Sequence, residues 1–120
     1  MKIESARRFA QEWIDAWNSH DLERILEHYD DDFEMTSPII RVLAGEPSGK
    51  LRGKAAVGAY WAKALEKTPD LRFEMVTALA GVDSVTIYYE GHRGLCAEVL
   101  HFGPSGKVRA AFAHYVEGTE

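Results

Sequence analysis

Cys96 is the only cysteine among 120 residues, so the chain can form no internal disulfide and no thiolate cluster that would hold a metal. Such sparing use of thiols fits a reducing cytoplasm, the compartment expected here. Long apolar runs are missing too. Nowhere do the roughly 18 consecutive apolar residues of a membrane-spanning helix occur, and Met1-Lys2-Ile3-Glu4-Ser5-Ala6-Arg7-Arg8 contains no stretch of signal-peptide type. Neither membrane association nor export is expected. Positive charge is scarce: 14 Lys and Arg stand against 19 Asp and Glu, a formal net charge of -5, and the cations are scattered. That leaves no basic face for a phosphate backbone, and nucleic acid is not an expected partner. His20 and His28 share no helical face with a suitably spaced carboxylate, and no His-Glu-x-x-His pattern occurs, so no metal is expected. Gly45, Gly49 and Gly53 do not follow a strand in a phosphate-cradling pattern, which argues against a nucleotide or other cofactor.

What is present is the balance of one globular domain over residues 1–120, with 46% apolar and 28% charged residues and no low-complexity tract or internal repeat. Ala6, Phe9, Ala10, Trp13, Ile14 and Trp17 recur at three- and four-residue spacing and predict an amphipathic helix ending near Asn18-Ser19-His20. Asp21 is placed to cap a second helix whose apolar face reads Leu22, Ile25, Leu26 and Tyr29. Asp30-Asp31-Asp32 reads as the solvated terminus of that helix, and Phe33 to Pro38 as a short strand that the proline ends. Residues 39–52 carry two glycines and a proline in mixed polarity and read as a long loop. A third helix opens at Gly53, presents Val57, Tyr60, Trp61, Ala64 and Leu65, and closes at Thr68-Pro69-Asp70.

Beyond that point the pattern switches to alternation. Leu71, Phe73, Met75 and Leu79 form one strand-like series and Val85, Ile87 and Tyr89 another, followed by runs over 95–102 and 108–116 with glycine-rich turns between them. Helices followed by consecutive strands predict an α+β domain: three N-terminal helices packed on a curved, mostly antiparallel sheet. A twisted sheet of long strands curls around so few helices and leaves a cavity between the layers.

The stretch Trp13-Ile14-Asp15-Ala16-Trp17-Asn18-Ser19-His20-Asp21-Leu22, then Tyr29 to Phe33, Ser37-Pro38, Gly53 to Val57, Tyr60-Trp61, and Phe102 with Gly106-Lys107-Val108 resembles SnoaL-like and ketosteroid-isomerase-like proteins. These are members of the nuclear transport factor 2-like superfamily, and the resemblance spans essentially the whole chain. It implies a cone-shaped fold enclosing a pocket for a small hydrophobic molecule, on a scaffold that hosts many functions. In ketosteroid isomerases a phenol on the first helix and a protonated late-strand acid bind the oxyanion, while an aspartate before the first-strand proline moves the proton, an established example of a carboxylic acid held neutral by its site. Those positions fall here on Trp13, Glu98 and Ser37. Only Glu98 keeps a proton-transferring group, so steroid isomerisation itself is not expected.

Glu98 shares its side of a strand with Cys96, Leu100 and Phe102, an apolar setting that would raise its pKa and suit it to acid/base work. Ser37 is the second candidate, as a polar anchor. Trp13, Tyr29 and Trp61 are candidate ligand contacts because rings with polar tips both line and orient; the resemblance turns Ala111, Ala113 and Tyr115 inward, adding Tyr115. Trp17 and Tyr60 are assigned to packing, and His101 and His114 to the outer face. That face also carries Val99, Phe112 and Val116 and implies a homodimer through the sheet. Two functions follow from this reading. One is a SnoaL-like enzyme or binder of a small apolar or aromatic metabolite; the other is a dimeric interaction module whose cavity, plugged by Trp13, Trp61 and Leu100, is vestigial. Epoxide-hydrolase chemistry needs a buried Asp-Arg-Asp arrangement that has no counterpart in the pattern.

Overall fold

The first apolar stripe forms α1 (Ile3–Ser19), which buries Ala6, Ala10, Trp13, Ile14, Ala16 and Trp17. The helix ends where His20 turns left-handed at φ 61°, and the Asp21 side chain accepts from the Arg24 N–H at 3.3 Å to start α2 (Leu22–Leu26). The corner expected between the two helices is therefore made by the residues that signalled it. The computed structural model describes residues 1–116. Its remaining elements are β1 (Tyr29–Thr36), α3 (Pro38–Leu43), β2 (Lys50–Arg52), α4 (Lys54–Lys67), β3 (Glu74–Ala80), β4 (Ser84–Gly91), β5 (Gly94–Phe102) and β6 (Val108–Tyr115).

The six strands form one sheet in the order β2-β1-β6-β5-β4-β3. All neighbours are antiparallel except β1 and β6, which run parallel, with Met35 beside Ala111 and Thr36 beside Phe112. The α+β class and the helix-covered sheet expected from the alternation are both present. The core lies between the helices and one face of the sheet: Val85, Ile87 and Tyr89 from β4, Cys96, Glu98 and Leu100 from β5, and Val108, Ala111 and Ala113 from β6.

Three local expectations are corrected. Tyr29 does not extend the face of α2 but opens β1, because the helix ends at Leu26 and Tyr29 pairs with Val108. Asp30, Asp31 and Asp32 therefore belong to a strand and not to a helix terminus. The pairing with β6 shifts register between Tyr29 and Glu34, and there Asp31 faces Lys54 and Asp32 faces Arg52, each at 3.7 Å. The segment 39–52 is not a plain loop. Ser37 caps α3 by accepting from the Ile39 N–H at 3.2 Å, Pro38 sits at the helix start where its missing N–H costs nothing, and Ile39 and Ile40 are buried. Three residues further on pair with β1 as β2, with Glu34 opposite Arg52.

Asn18 ties helix to sheet. Its amide donates to the Phe73 carbonyl at 3.0 Å and accepts from the Phe73 N–H at 2.7 Å, so a side chain does the work of a strand partner just ahead of β3. This clamp fixes the Phe73 ring against Trp13, Trp17 and Tyr89, with centroids 5.7, 5.6 and 4.7 Å away.

Candidate functional site

Between the helices and the open end of the sheet lies a cavity of about 280 Å³, near the lower size for a small-molecule site. Its walls are aromatic: Trp13 and Trp17 from α1, Tyr60 and Trp61 from α4, Phe73, and Tyr89 from β4. The rings interlock edge to face, with Trp17 and Trp61 centroids at 5.0 Å and Trp13 and Tyr89 at 5.3 Å, so the wall is rigid before any ligand arrives. The mouth is formed by Ile39 and Leu43 of α3, Lys67 and Thr68 at the end of α4, and Gly91, His92 and Arg93 of the β4–β5 turn. Glycine is needed in that turn. A Cβ on Gly91 would come within 3.1 Å of Cys96 Sγ and of the Tyr89 ring, and Gly94 stands at φ +92°.

The strand register lays two rows across the cavity floor. Tyr89, Cys96 and Tyr115 align nearer the mouth, and Ile87, Glu98 and Ala113 one step deeper. Glu98 is 4% exposed, and its recorded contact is the Tyr89 hydroxyl, donating to Oε2 at 3.5 Å. That bond is long for an O–H···O contact, and among the described residues no cation pairs with the carboxyl. Burial therefore dominates and pushes Glu98 up to about 8, the Tyr89 hydrogen bond opposing it only in part. Burial likewise raises the hydroxyls of Tyr89 and Tyr115 and the thiol of Cys96, with the nearby Glu98 charge acting in the same direction. Four groups on one floor thus favour their protonated forms near neutral pH.

Of the residues singled out from sequence, Glu98, Trp13, Trp61 and Tyr115 line this cavity. Ser37 and Tyr29 lie behind it. The Ser37 hydroxyl caps α3 and sits 3.5 Å from the Tyr115 hydroxyl, so it touches the site only through Tyr115. Tyr29 is fully buried and accepts from Trp13 Nε1 at 2.9 Å, which fixes the indole plane. Trp17 and Tyr60, assigned to packing, line the cavity instead. The Trp17 Nε1–H is buried without a partner among the described residues, an orphan donor in the cavity wall. Leu100 packs in the core and does not plug the space. Tyr89 was missed: its inward parity with Val85 and Ile87 was visible, but only the pairing of Tyr89 with Cys96 brings its hydroxyl to Glu98. His114 is exposed and His101 half-buried on the outer face, the side to which the resemblance assigned them.

Residues 10–118 match a family model described as the SnoaL-like domain. Among solved structures, the chain is similar to a SnoaL-like protein of unknown function from Burkholderia thailandensis E264. That likeness has 60% identity and a TM-score of 0.91 over 93% of this chain and 94% of that one. It is also similar in fold to a proposed isomerase of the SnoaL-like family from Agrobacterium tumefaciens C58, with 16% identity and a TM-score of 0.73 over 93% and 97% of the two chains. A protein of unknown function with a cystatin-like fold from Methylobium petroleophilum PM1 has 16% identity and a TM-score of 0.75 over 100% of this chain and 81% of that one. No curated protein matches.

Proposed function

Because the chain belongs to the SnoaL-like domain family, we propose that it is a small-molecule enzyme that binds a flat, mostly apolar carbonyl compound and moves a proton through Glu98. The observation that carries this reading is a buried carboxyl facing an aromatic cavity with one long hydrogen bond and, among the described residues, no cation paired with it. A carboxyl so placed opposes folding whenever it ionises, and groups of that kind concentrate where chemistry needs them. A value of about 8 leaves both of its forms accessible near neutral pH. Ionised and desolvated, Glu98 takes a proton from the carbon next to the carbonyl and leaves an enolate; protonated, it returns that proton to the enolate at carbon or at oxygen. The hydroxyls of Tyr89 and Tyr115 are the donors beside it for the oxygen on which negative charge develops. Ser37 acts as an anchor for Tyr115 in this scheme and exchanges no proton with the ligand.

The test uses an aryl ketone such as acetonaphthone in deuterated water. The protein should quench its tryptophan fluorescence on binding and accelerate deuterium uptake at the α-carbon. Glu98→Gln should lower that exchange on the order of 100-fold while binding persists, and Trp61→Ala should weaken binding in a folded protein. Exchange that is not accelerated, or is unchanged in Glu98→Gln, would remove the catalytic reading and leave a binding domain.

Assembly follows from the other face of the sheet. Thr36, Phe112, Val99, Thr86 and Leu79 form one row across five strands on the side away from the helices, and Val116, beyond β6, is 67% exposed. Such a stripe suits a second copy of the chain across a two-fold axis. Sedimentation velocity should give a dimer at micromolar concentration, and Phe112→Asp should shift it towards monomer. A wild-type monomer at that concentration would overturn the assembly without touching the cavity.

A further inference from the structure

The polar groups on the cavity wall are unevenly distributed. Moving outward from Glu98, the side chains at the wall and mouth that bring hydrogen-bond donors are Trp17, Tyr60, Lys67, Thr68, His92 and Arg93. Among the described residues Glu98 is the only carboxylate that lines the space, and near neutral pH it is mainly protonated. The protein as a whole carries a net charge of -5, yet Glu98 apart no acidic side chain among the described residues lines this space, although the charge of Glu90 reaches Cys96. Arg93 and His92 sit at the tip of the β4–β5 turn and Lys67 on the last turn of α4, so the two basic groups Arg93 and Lys67 approach the mouth from different elements. Neither forms an ion pair among the described residues. Arg93 is near enough to Tyr60 for its charge to act on that hydroxyl, which burial otherwise raises. Deeper in, the Trp17 indole N–H still lacks an acceptor.

A lining rich in donors and ringed by cations is complementary to a ligand rich in acceptors. We propose that the molecule taken by this cavity is an amphipathic acid: a flat apolar body held between Trp17, Trp61 and Phe73, with one carboxylate at the mouth against Arg93 and Lys67. This rests on the reading of the cavity as a small-molecule site and narrows its substrate class. Arg93 offers a planar fork that fits a carboxylate edge-on, and Lys67 a mobile point charge that follows it. The carboxylate sets the depth of the apolar body and so fixes which carbon lies over Glu98. A neutral analogue of the same shape enters the same space without that register.

The experiment compares naphthoate with naphthamide, two probes of nearly equal shape that differ in charge, by titration calorimetry at low ionic strength and about pH 6, where Glu98 is neutral. Naphthoate should bind roughly 5- to 10-fold more tightly than naphthamide, as expected for two partly exposed charges, and added salt should erode the difference. In the double variant Arg93→Gln, Lys67→Gln the preference should fall to about 2-fold or less, with the larger loss of affinity falling on naphthoate. Both substitutions lie at exposed positions and leave the core alone. Equal affinities in the wild-type protein, or a preference that survives in the double variant, would overturn the proposal and leave the apolar cavity standing. If neither probe binds, the small-molecule reading falls and this inference with it.

Discussion

Replacing Glu98 with glutamine should make the protein progressively more stable than wild type as pH rises, with no such gain at about pH 4. The folded-state value of about 8 lies above the ordinary 4.5 of the unfolded chain. Below that ordinary value the carboxyl is protonated in both states and costs nothing. As pH rises further the unfolded chain releases its proton while the folded one must hold it, and stability is lost at about 1.4 kcal/mol per pH unit. Above about 8 both states are ionised and the loss stops growing. The full span is on the order of 5 kcal/mol, a large part of the roughly 5–15 kcal/mol that holds a domain together. Glutamine does not titrate, so the gap between variant and wild type in urea midpoints should widen through that window and then level off. The groups facing Glu98 are the Tyr89, Tyr115 and Tyr29 hydroxyls and the Cys96 thiol, all raised above their ordinary values and so still protonated there. Midpoints that run parallel from about pH 4 to about pH 9 would show that Glu98 titrates as an ordinary surface acid.

Trp13→Ala should lose about 3–5 kcal/mol of stability. The indole is 1% exposed, stacks on Phe73 at 5.7 Å, and meets Trp17 and Tyr89 at 6.1 and 5.3 Å. Truncation removes those contacts and also leaves the buried Tyr29 hydroxyl without the donor that now lies 2.9 Å away. Trp13→Phe keeps one ring but loses the N–H and the volume of the second ring, so it should fall short of that by half or more. The pair of variants, followed by denaturant unfolding, grades the loss by how much of the ring system is removed. A loss under about 1 kcal/mol in Trp13→Ala would mark the indole as a dispensable wall, filled by its neighbours on collapse.

The sequence pattern carried the helices and the long strands because both burial periods are strong here. Trp13 and Trp17 are one helical turn apart, and Cys96, Glu98 and Leu100 alternate cleanly inward. It did not carry α3 or β2. Six and three residues are too few to display a period, and what defines them is a Ser37 cap and a pairing partner in β1. Tyr29 was misplaced for a related reason: its apolar spacing continued the helix, and the partner that won it, Val108, lies far along the chain. The acid at the heart of the site was legible because a carboxyl in an apolar alternating run stands out. Its companions were not, since Tyr89, Arg93 and Lys67 become neighbours only through strand register and turn geometry.

The parallel pair of β1 and β6 has a consequence for synthesis. The strand β6 follows all the others in the chain, yet it fills the gap between β1 and β5. Until residues 108–115 have emerged, the nascent chain therefore holds two separate fragments, β2 with β1 and β5 with β4 and β3, each showing an unpaired edge to its surroundings. Joining them requires contacts between residues as distant as Tyr29 and Val108, which is slow to achieve and open to mispairing while it waits. Tyr115 arrives on that keystone strand. The cavity is thus complete only after the riskiest moment in the molecule's history has passed, and a ribosome that stalls short of β6 releases an aggregation-prone half-sheet with no site at all.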